Sequence, residues 1–184
     1  MGKRSKFDRN PRDFYPTPYR AVEPLLQHLH DNCTFAEPCV GDFQLVTHLE
    51  KHGHRCMFAS DIEYRADGLE VSGAAVIRTG IVLDALELTH PPLRQCDFII
   101  TNPPFSKNIL FPMIEIFRQL KPTWLLLNAD FMHNVGSRPF LEHCSKIVSI
   151  GRVKWIEGSK NGGMENFAWY RFEQQECQTI FVGR

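Results

Sequence analysis

Residues 97 to 105 read Asp-Phe-Ile-Ile-Thr-Asn-Pro-Pro-Phe, an apolar run that ends in an amide, two prolines and an aromatic ring. Consecutive prolines fix φ, remove two backbone donors and prevent a helix from starting there, so the turn is stiff and extended. Asn102 is thereby held at the end of a strand with its carboxamide available, and Phe105 offers a ring face beside Pro103 and Pro104. An amide oxygen, a proline-side carbonyl and an aromatic face suit a planar ring bearing an amino group. The oxygens accept hydrogen bonds from the NH2 while the rings stack. The plainer alternative is an ordinary turn, with Asn102 as its cap and Phe105 in the core.

Three acids fall at intervals ahead of that turn. Glu37-Pro-Cys-Val-Gly41-Asp42 separates an apolar run from a helix-like one. There Gly41 permits close backbone approach to a ligand, and Glu37 can attract an ammonium group. Asp61 lies twenty residues beyond Gly41, the place where an acid binds ribose hydroxyls in dinucleotide-type sites. Asp84 ends Gly80-Ile-Val-Leu-Asp84 and can accept from an adenine amino group. Taken singly, each acid reads as a solvated loop carboxylate. Their order at successive strand ends, followed by the Asn102 turn, points to one site. His52-x-His54-x-Cys56 is the only metal-like cluster, and without a fourth ligand it gives no case for zinc. Eight histidines without an acid-His-Ser spacing give none for a hydrolase.

Elements of two periods must position these groups. Pro18 to His30 carries Val22, Leu25, Leu26 and Leu29 at helical spacing, as Phe43 to His52 does Leu45, Val46 and Leu49. Short apolar runs at Thr34–Glu37, Cys56–Ile62, Ala74–Arg78, Asp97–Thr101 and Thr123–Ala129 read as strands. The fourth is apolar on both faces, as in a sheet covered on each side. Ile109 to Leu120 is an amphipathic helix, and Ser137 can cap a short helix running to Cys144. Lys146–Trp155 and Phe167–Phe172, joined by the Gly/Asn-rich stretch 158–163, are expected to pair antiparallel. The pattern is a mostly parallel, doubly wound α/β sheet with its last strand reversed, and ligands of such sheets bind beyond the strands' carboxyl ends.

With 184 residues and 43% hydrophobic content, the chain fits one domain, here 13–184 behind an arm at 1–12. Twelve glycines and twelve prolines exclude collagen-like and low-complexity classes. Six scattered cysteines without a Cys-x-x-Cys pair read as buried, reduced thiols. No signal-like or membrane-spanning run is present, so a soluble, cytoplasmic protein without membrane contact is expected.

The sequence resembles the amino-group DNA methyltransferases that use S-adenosylmethionine, in particular the adenine-specific ones. Asn102-Pro103-Pro104-Phe105 is similar to their catalytic motif, and Phe35-Ala-Glu37-Pro-Cys-Val-Gly41-Asp42 to their cofactor loop. Tyr15-Pro-Thr17-Pro18 resembles the N-terminal motif that touches the cofactor's methionine end. The likeness spans roughly 13–172. It implies a Rossmann-like class I methyltransferase fold, with a mostly parallel seven-stranded sheet whose last strand is reversed. It also implies roles. Glu37 and Gly41 would lie by the methionine and sugar of S-adenosylmethionine, Asp61 would hold the ribose, Asp84 the adenine amino group and Thr17 the carboxylate. Asn102 and the Pro103 carbonyl would bind the target amino group, with Phe105 stacked on the flipped base.

The implied reaction is methyl transfer to the adenine amino group of DNA. RNA adenine, a protein glutamine amide, or binding without catalysis are the alternatives. Two departures stand out: Phe43 where such loops often carry a second glycine, and no segment long enough for a target-recognition domain. An accessory protein or an oligomer would then supply recognition, or local bases would.

Those bases are concentrated. Net charge is zero, yet residues 1–12 hold Lys3, Arg4, Lys6, Arg9 and Arg12 against Asp8 alone, leaving 16 bases and 20 acids in the body. Ser106 to Asn108 and the 158–166 loop, with Arg152, Lys154 and Lys160, are further candidates. If the arm contacts phosphates, deleting residues 1–12 lowers the salt slope of nucleic-acid binding by about 0.9 per lost contact. Filter binding across a salt series checks this, and an unchanged slope makes the arm a solvated tail.

Overall fold

The computed structural model describes residues 15–63, 81–155, 163 and 165–184. Helix α1 (Tyr19–Leu26) leads into strand β1 (Thr34–Glu37), α2 (Gln44–Lys51), β2 (Arg55–Asp61) and β3 (Ile81–Val82). There follow β4 (Phe98–Thr101), α3 (Lys107–Leu120), β5 (Thr123–Asn128), the one-turn α4 (Arg138–Leu141), β6 (Cys144–Arg152), β7 (Asn166–Phe172) and β8 (Ile180–Val182). The sheet runs β3-β2-β1-β4-β5-β7-β6-β8. Strand β7 is antiparallel to both β5 and β6, and the other pairings are parallel. This is the expected α/β sheet with its seventh strand reversed, extended by an eighth that pairs with β6.

Helices cover both faces, so strand residues alternate between two cores. Trp124 and Leu126 pack with Phe35, Ile100 and Trp169 under α1 and α2. Leu125 and Leu127 pack with Ile99, Ile147 and Tyr170 against Ile114 and Phe117 of α3. This explains why β4 and β5 read as unbroken apolar runs. A buried indole joins the layers, because Trp169 Nε1 donates to the Ala21 carbonyl of α1 at 2.7 Å. Among the described residues no helix is long and apolar enough to cross a membrane.

Two expectations change, and a third is not tested. Helix α1 ends at Leu26 rather than His30. Tight turns with His28 N donating to Leu25 O and Leu29 N to Leu26 O continue the path and still bury Leu29. Ser137 does not cap α4. It sits in a 3-10 turn, buried, with no capping bond and no partner for its hydroxyl, and the helix stops well short of Cys144. The strand expected over 74–78 lies outside the described residues, while β3 pairs with β2 just before Asp84. None of the six cysteines is bridged. Cys33, Cys96 and Cys144 are buried, but Cys39, Cys56 and Cys177 only partly so.

Phe43 is the conformational exception. Its φ is 64°, in the left-handed region that favours glycine, two residues after Gly41 at 53°. Its N–H donates to Val40 O at 2.9 Å and its carbonyl accepts from Thr47 N at 2.8 Å, so it turns the β1 loop into α2. The backbone thus keeps a glycine-like turn, and the ring goes into the core, 5% exposed. Left-handed geometry costs a non-glycine residue roughly 1–2 kcal/mol, whereas losing a buried phenyl costs about 3–5 kcal/mol. Packing outweighs strain. Phe43→Ala should therefore be more destabilising than Phe43→Gly, by about 1 kcal/mol, reversing the usual order of the two residues. Urea denaturation of both variants decides it, and equal or opposite ranking contradicts this account of the turn.

Candidate functional site

Strand order reverses beside β1, which pairs with β2 on one side and β4 on the other. The loops after β1 and β4 must turn apart there, which opens a crevice at their carboxyl ends. A cavity of about 510 Å³ occupies it, a size suited to a small ligand. Tyr15, Thr17, Glu37, Gly41, Asp61, Asp84, Asn102 and Pro104 all line it. Residues 87 positions apart are brought together by one topological feature. Pro103 and Phe105 do not line the cavity.

Glu37 ends β1 and is 1% exposed. Its Oε1 accepts from Cys39 N at 3.3 Å, and Oε2 has no partner. Burial pushes the carboxyl well above the ordinary glutamate range. The Thr101 hydroxyl and the Cys39 N–H work the other way, and Asp61 adds to the rise. Loss of hydration and the neighbouring Glu37 also raise the Cys39 thiol. A buried carboxyl without a counter-charge is expensive to ionise. The group is suited to meet a cationic ligand.

Asp61 braces the loop above it. Its Oδ2 accepts from Gly41 N at 2.9 Å and its Oδ1 from Glu63 N at 3.2 Å, while Val40 N donates to Ser60 O at 2.9 Å. Gly41 at positive φ lets the amide reach back to the carboxylate. Each carboxylate oxygen keeps a second lone pair for a ligand. Asp84 Oδ1 accepts from Leu86 N at 2.9 Å and so caps the turn that places Leu86 in the wall.

At the end of β4, Asn102 donates through Nδ2 to Tyr15 O at 3.3 Å and to Thr17 Oγ1 at 3.2 Å. Its Oδ1 is buried and has no partner. A main-chain carbonyl can only accept, so the nitrogen must face Tyr15 and the oxygen must face away. Phe105 is half-buried, with its ring 5.9 Å from Phe167. Phe167 meets Trp155 at 4.9 Å, and Trp155 meets Tyr15 at 6.2 Å. An aromatic row therefore flanks the Asn102 turn.

The sequence did not single out Thr101, Trp155 or Phe167 as neighbours of the site. Thr101 reads as the last residue of a buried strand, and Trp155 and Phe167 as ends of the last two strands, where Phe167 is indeed core. Alternation along β4 is the signal for Thr101, since it puts a hydroxyl on the Ile99 side of a strand otherwise apolar. The apolar lining of Ile62, Leu86, Ile109 and Met113 was also unforeseen. The His52–Cys56 cluster forms no common site. His54 Nδ1 lies 3.2 Å from Cys33 Sγ, and Cys56 Sγ donates to the Phe58 carbonyl. Among the described residues no three His, Cys, Asp or Glu side chains are placed to hold a metal.

Solved structures share this architecture. A Pyrococcus horikoshii protein assigned as an RNA methyltransferase superposes with a TM-score of 0.67 at 16% identity, over 92% of each chain. The fold is the Rossmann-like methyltransferase fold. The M protein of the type I restriction enzyme EcoKI has a TM-score of 0.55 at 13% identity, covering 89% of this chain and 46% of its own. A Plasmodium falciparum dimethyladenosine transferase gives 0.53 at 14%, covering 86% and 62%. The chain thus spans about half of the type I subunit. No protein-family model matches, and no curated protein matches by sequence.

The Glu37 carboxyl has a direct consequence for stability. A carboxyl raised by folding contributes fully below its unfolded value, and that contribution is lost as pH rises through the folded value. Glu37→Gln removes the loss and keeps an oxygen for Cys39 N–H. The ligand-free variant should gain on the wild type from pH 5 upward and level off once Glu37 would be ionised, by about 2–4 °C per kcal/mol relieved. Melting curves from pH 5 to 9 check this, and parallel pH profiles contradict it.

Proposed function

We propose that the protein transfers a methyl group from S-adenosylmethionine to the exocyclic amino group of adenine in DNA. The observation that carries this reading is the buried, unpartnered Oδ1 of Asn102, turned away from its two anchors at the end of β4. An acceptor of fixed polarity beside an aromatic row is complementary to a planar base with an NH2 group.

The cavity's own groups fit the cofactor. Glu37 offers a carboxylate to an ammonium or sulfonium charge, Asp61 a second lone pair on each oxygen to ribose hydroxyls, and Asp84 an acceptor to an adenine amino group. Ile62 and Leu86 offer apolar cover to a ring. When bound, S-adenosylmethionine supplies an electrophilic methyl carried on a sulfonium.

The chain's residues prepare the acceptor nitrogen. Its lone pair is delocalised into the ring, which makes it a poor nucleophile. Asn102 Oδ1 and the Pro103 carbonyl take hydrogen bonds from its two hydrogens, favouring a pyramidal nitrogen and stabilising the positive charge that develops on attack. The Phe105 ring stacks on the base, backed by the buried Phe167 and by Trp155, and the stiff Pro103-Pro104 turn holds nitrogen and methyl in line. No base needs to remove a proton before attack.

RNA adenine is the second reading. It is favoured by the match over 92% of both chains to the Pyrococcus horikoshii protein assigned as an RNA methyltransferase, whereas the type I DNA subunit is about twice as long. Recognition of a particular sequence would come from an accessory subunit or an oligomer, or from the basic segments.

The test uses S-adenosylmethionine labelled in its methyl group, offered with separate DNA, RNA and protein pools. Label should enter adenine of a nucleic-acid pool. In single turnover with saturating cofactor, Asn102→Ala should transfer about a hundred- to thousandfold more slowly, a loss of roughly 2.7–4 kcal/mol, with cofactor affinity nearly unchanged. Wild-type rates in a folded Asn102→Ala variant would remove the turn from the chemistry.

A further inference from the structure

Asn102 can serve an amino group only one way round. Rotating the carboxamide by half a turn exchanges its oxygen and its NH2 with almost no change of shape, and the NH2 would then oppose another donor. In the structure Nδ2 has two acceptors for its two hydrogens, the Tyr15 carbonyl at 3.3 Å and Thr17 Oγ1 at 3.2 Å. Thr17 is 5% exposed, so water does not compete freely for its hydroxyl. The oxygen is left buried and unpartnered.

We propose that the main chain at Tyr15 and the Thr17 hydroxyl form a positioning clamp that fixes the polarity of the Asn102 carboxamide and thereby selects an amino-bearing acceptor. The functional half of this inference rests on the proposed role of Asn102. The clamp itself rests on geometry alone. The two anchors act differently. The Tyr15 carbonyl cannot donate, so it repels the reversed amide. The Thr17 hydroxyl can donate or accept, so it sets no polarity by itself, but it occupies the second N–H and leaves no donor for the cavity. Two bonds from one NH2 also hold the amide plane, which a single bond would let swing. The resemblance assigns Thr17 to the cofactor's carboxylate. In the structure its hydroxyl oxygen accepts from Asn102 Nδ2, which leaves the hydroxyl's own hydrogen to donate to such a carboxylate.

Thr17→Val keeps the shape of the side chain and removes the hydroxyl, Thr17→Ser restores it, and Thr17→Ala is a second hydroxyl-free variant should valine perturb folding. The readout independent of activity is the side-chain NH2 pair of Asn102 in ¹⁵N-labelled protein, assigned by its absence in Asn102→Asp. One proton of that pair should shift and exchange about tenfold faster in Thr17→Val and Thr17→Ala, and return in Thr17→Ser. Single-turnover methyl transfer at saturating S-adenosylmethionine should slow by about tenfold in the hydroxyl-free variants and recover in Thr17→Ser, whatever change in cofactor affinity accompanies it. An unaltered Asn102 pair, or a rate loss explained by weaker cofactor binding alone, overturns the clamp. If wild-type protein labels no nucleic acid, the proposed function fails, while the NH2 pair still decides whether the clamp exists.

Discussion

The reversal of strand order at β1 is the constraint from which the site follows. Because β1 pairs with β2 on one side and β4 on the other, the chain must leave the two neighbouring strands in opposite directions. No covering segment can follow both, so the carboxyl ends of β1 and β4 face a crevice. Glu37 and Asn102 sit at those two ends, and the last residue of β2, Asp61, ties the intervening loop down through Gly41. The cavity is therefore a product of topology, and its chemistry is a product of what terminates each strand.

Two of those terminal groups carry the same electrostatic signature. Glu37 Oε2 and Asn102 Oδ1 are buried acceptors without donors. Leaving such an atom unpaired costs about 1–3 kcal/mol, more for a charged group, and folded chains rarely keep one without a reason. In the proposed reading the reason is complementary: the Glu37 carboxyl would meet a cation and the Asn102 amide oxygen an N–H, with stability lost at the same two atoms.

Much of this was legible in the sequence because local pattern and tertiary need agree. Phe98 to Thr101 reads as a doubly covered strand since alternate residues do enter two cores, Thr123 to Ala129 reads as a strand, and the double proline ends β4. Spacing placed Glu37, Asp61, Asp84 and Asn102 at strand ends, and the fold brought all four to one cavity. The misreadings are where tertiary contact decides. Leu29 continued the helical stripe, but reaches the core through tight turns. Ser137 has a cap residue's chemistry and stands just before α4, but its backbone is already helical and its buried hydroxyl makes no capping bond. Strand β8 is three residues long with Ile180 and Phe181 exposed, too short for a period to register. The state of Glu37 depends on burial between β2 and β4, with Thr101 lying 64 residues away, and no local pattern encodes it. Phe43 looked like a departure at a glycine position, yet the backbone kept the glycine conformation.

The account's central claim is that a cationic ligand completes the Glu37 carboxyl. Calorimetric titration of S-adenosylmethionine into the wild-type protein, across pH 5 to 8 in buffers of different ionisation enthalpy, tests it most directly. The account predicts saturable binding accompanied by release of a proton, with that release absent in Glu37→Gln. No binding at millimolar ligand, or the same proton count in both proteins, would contradict it.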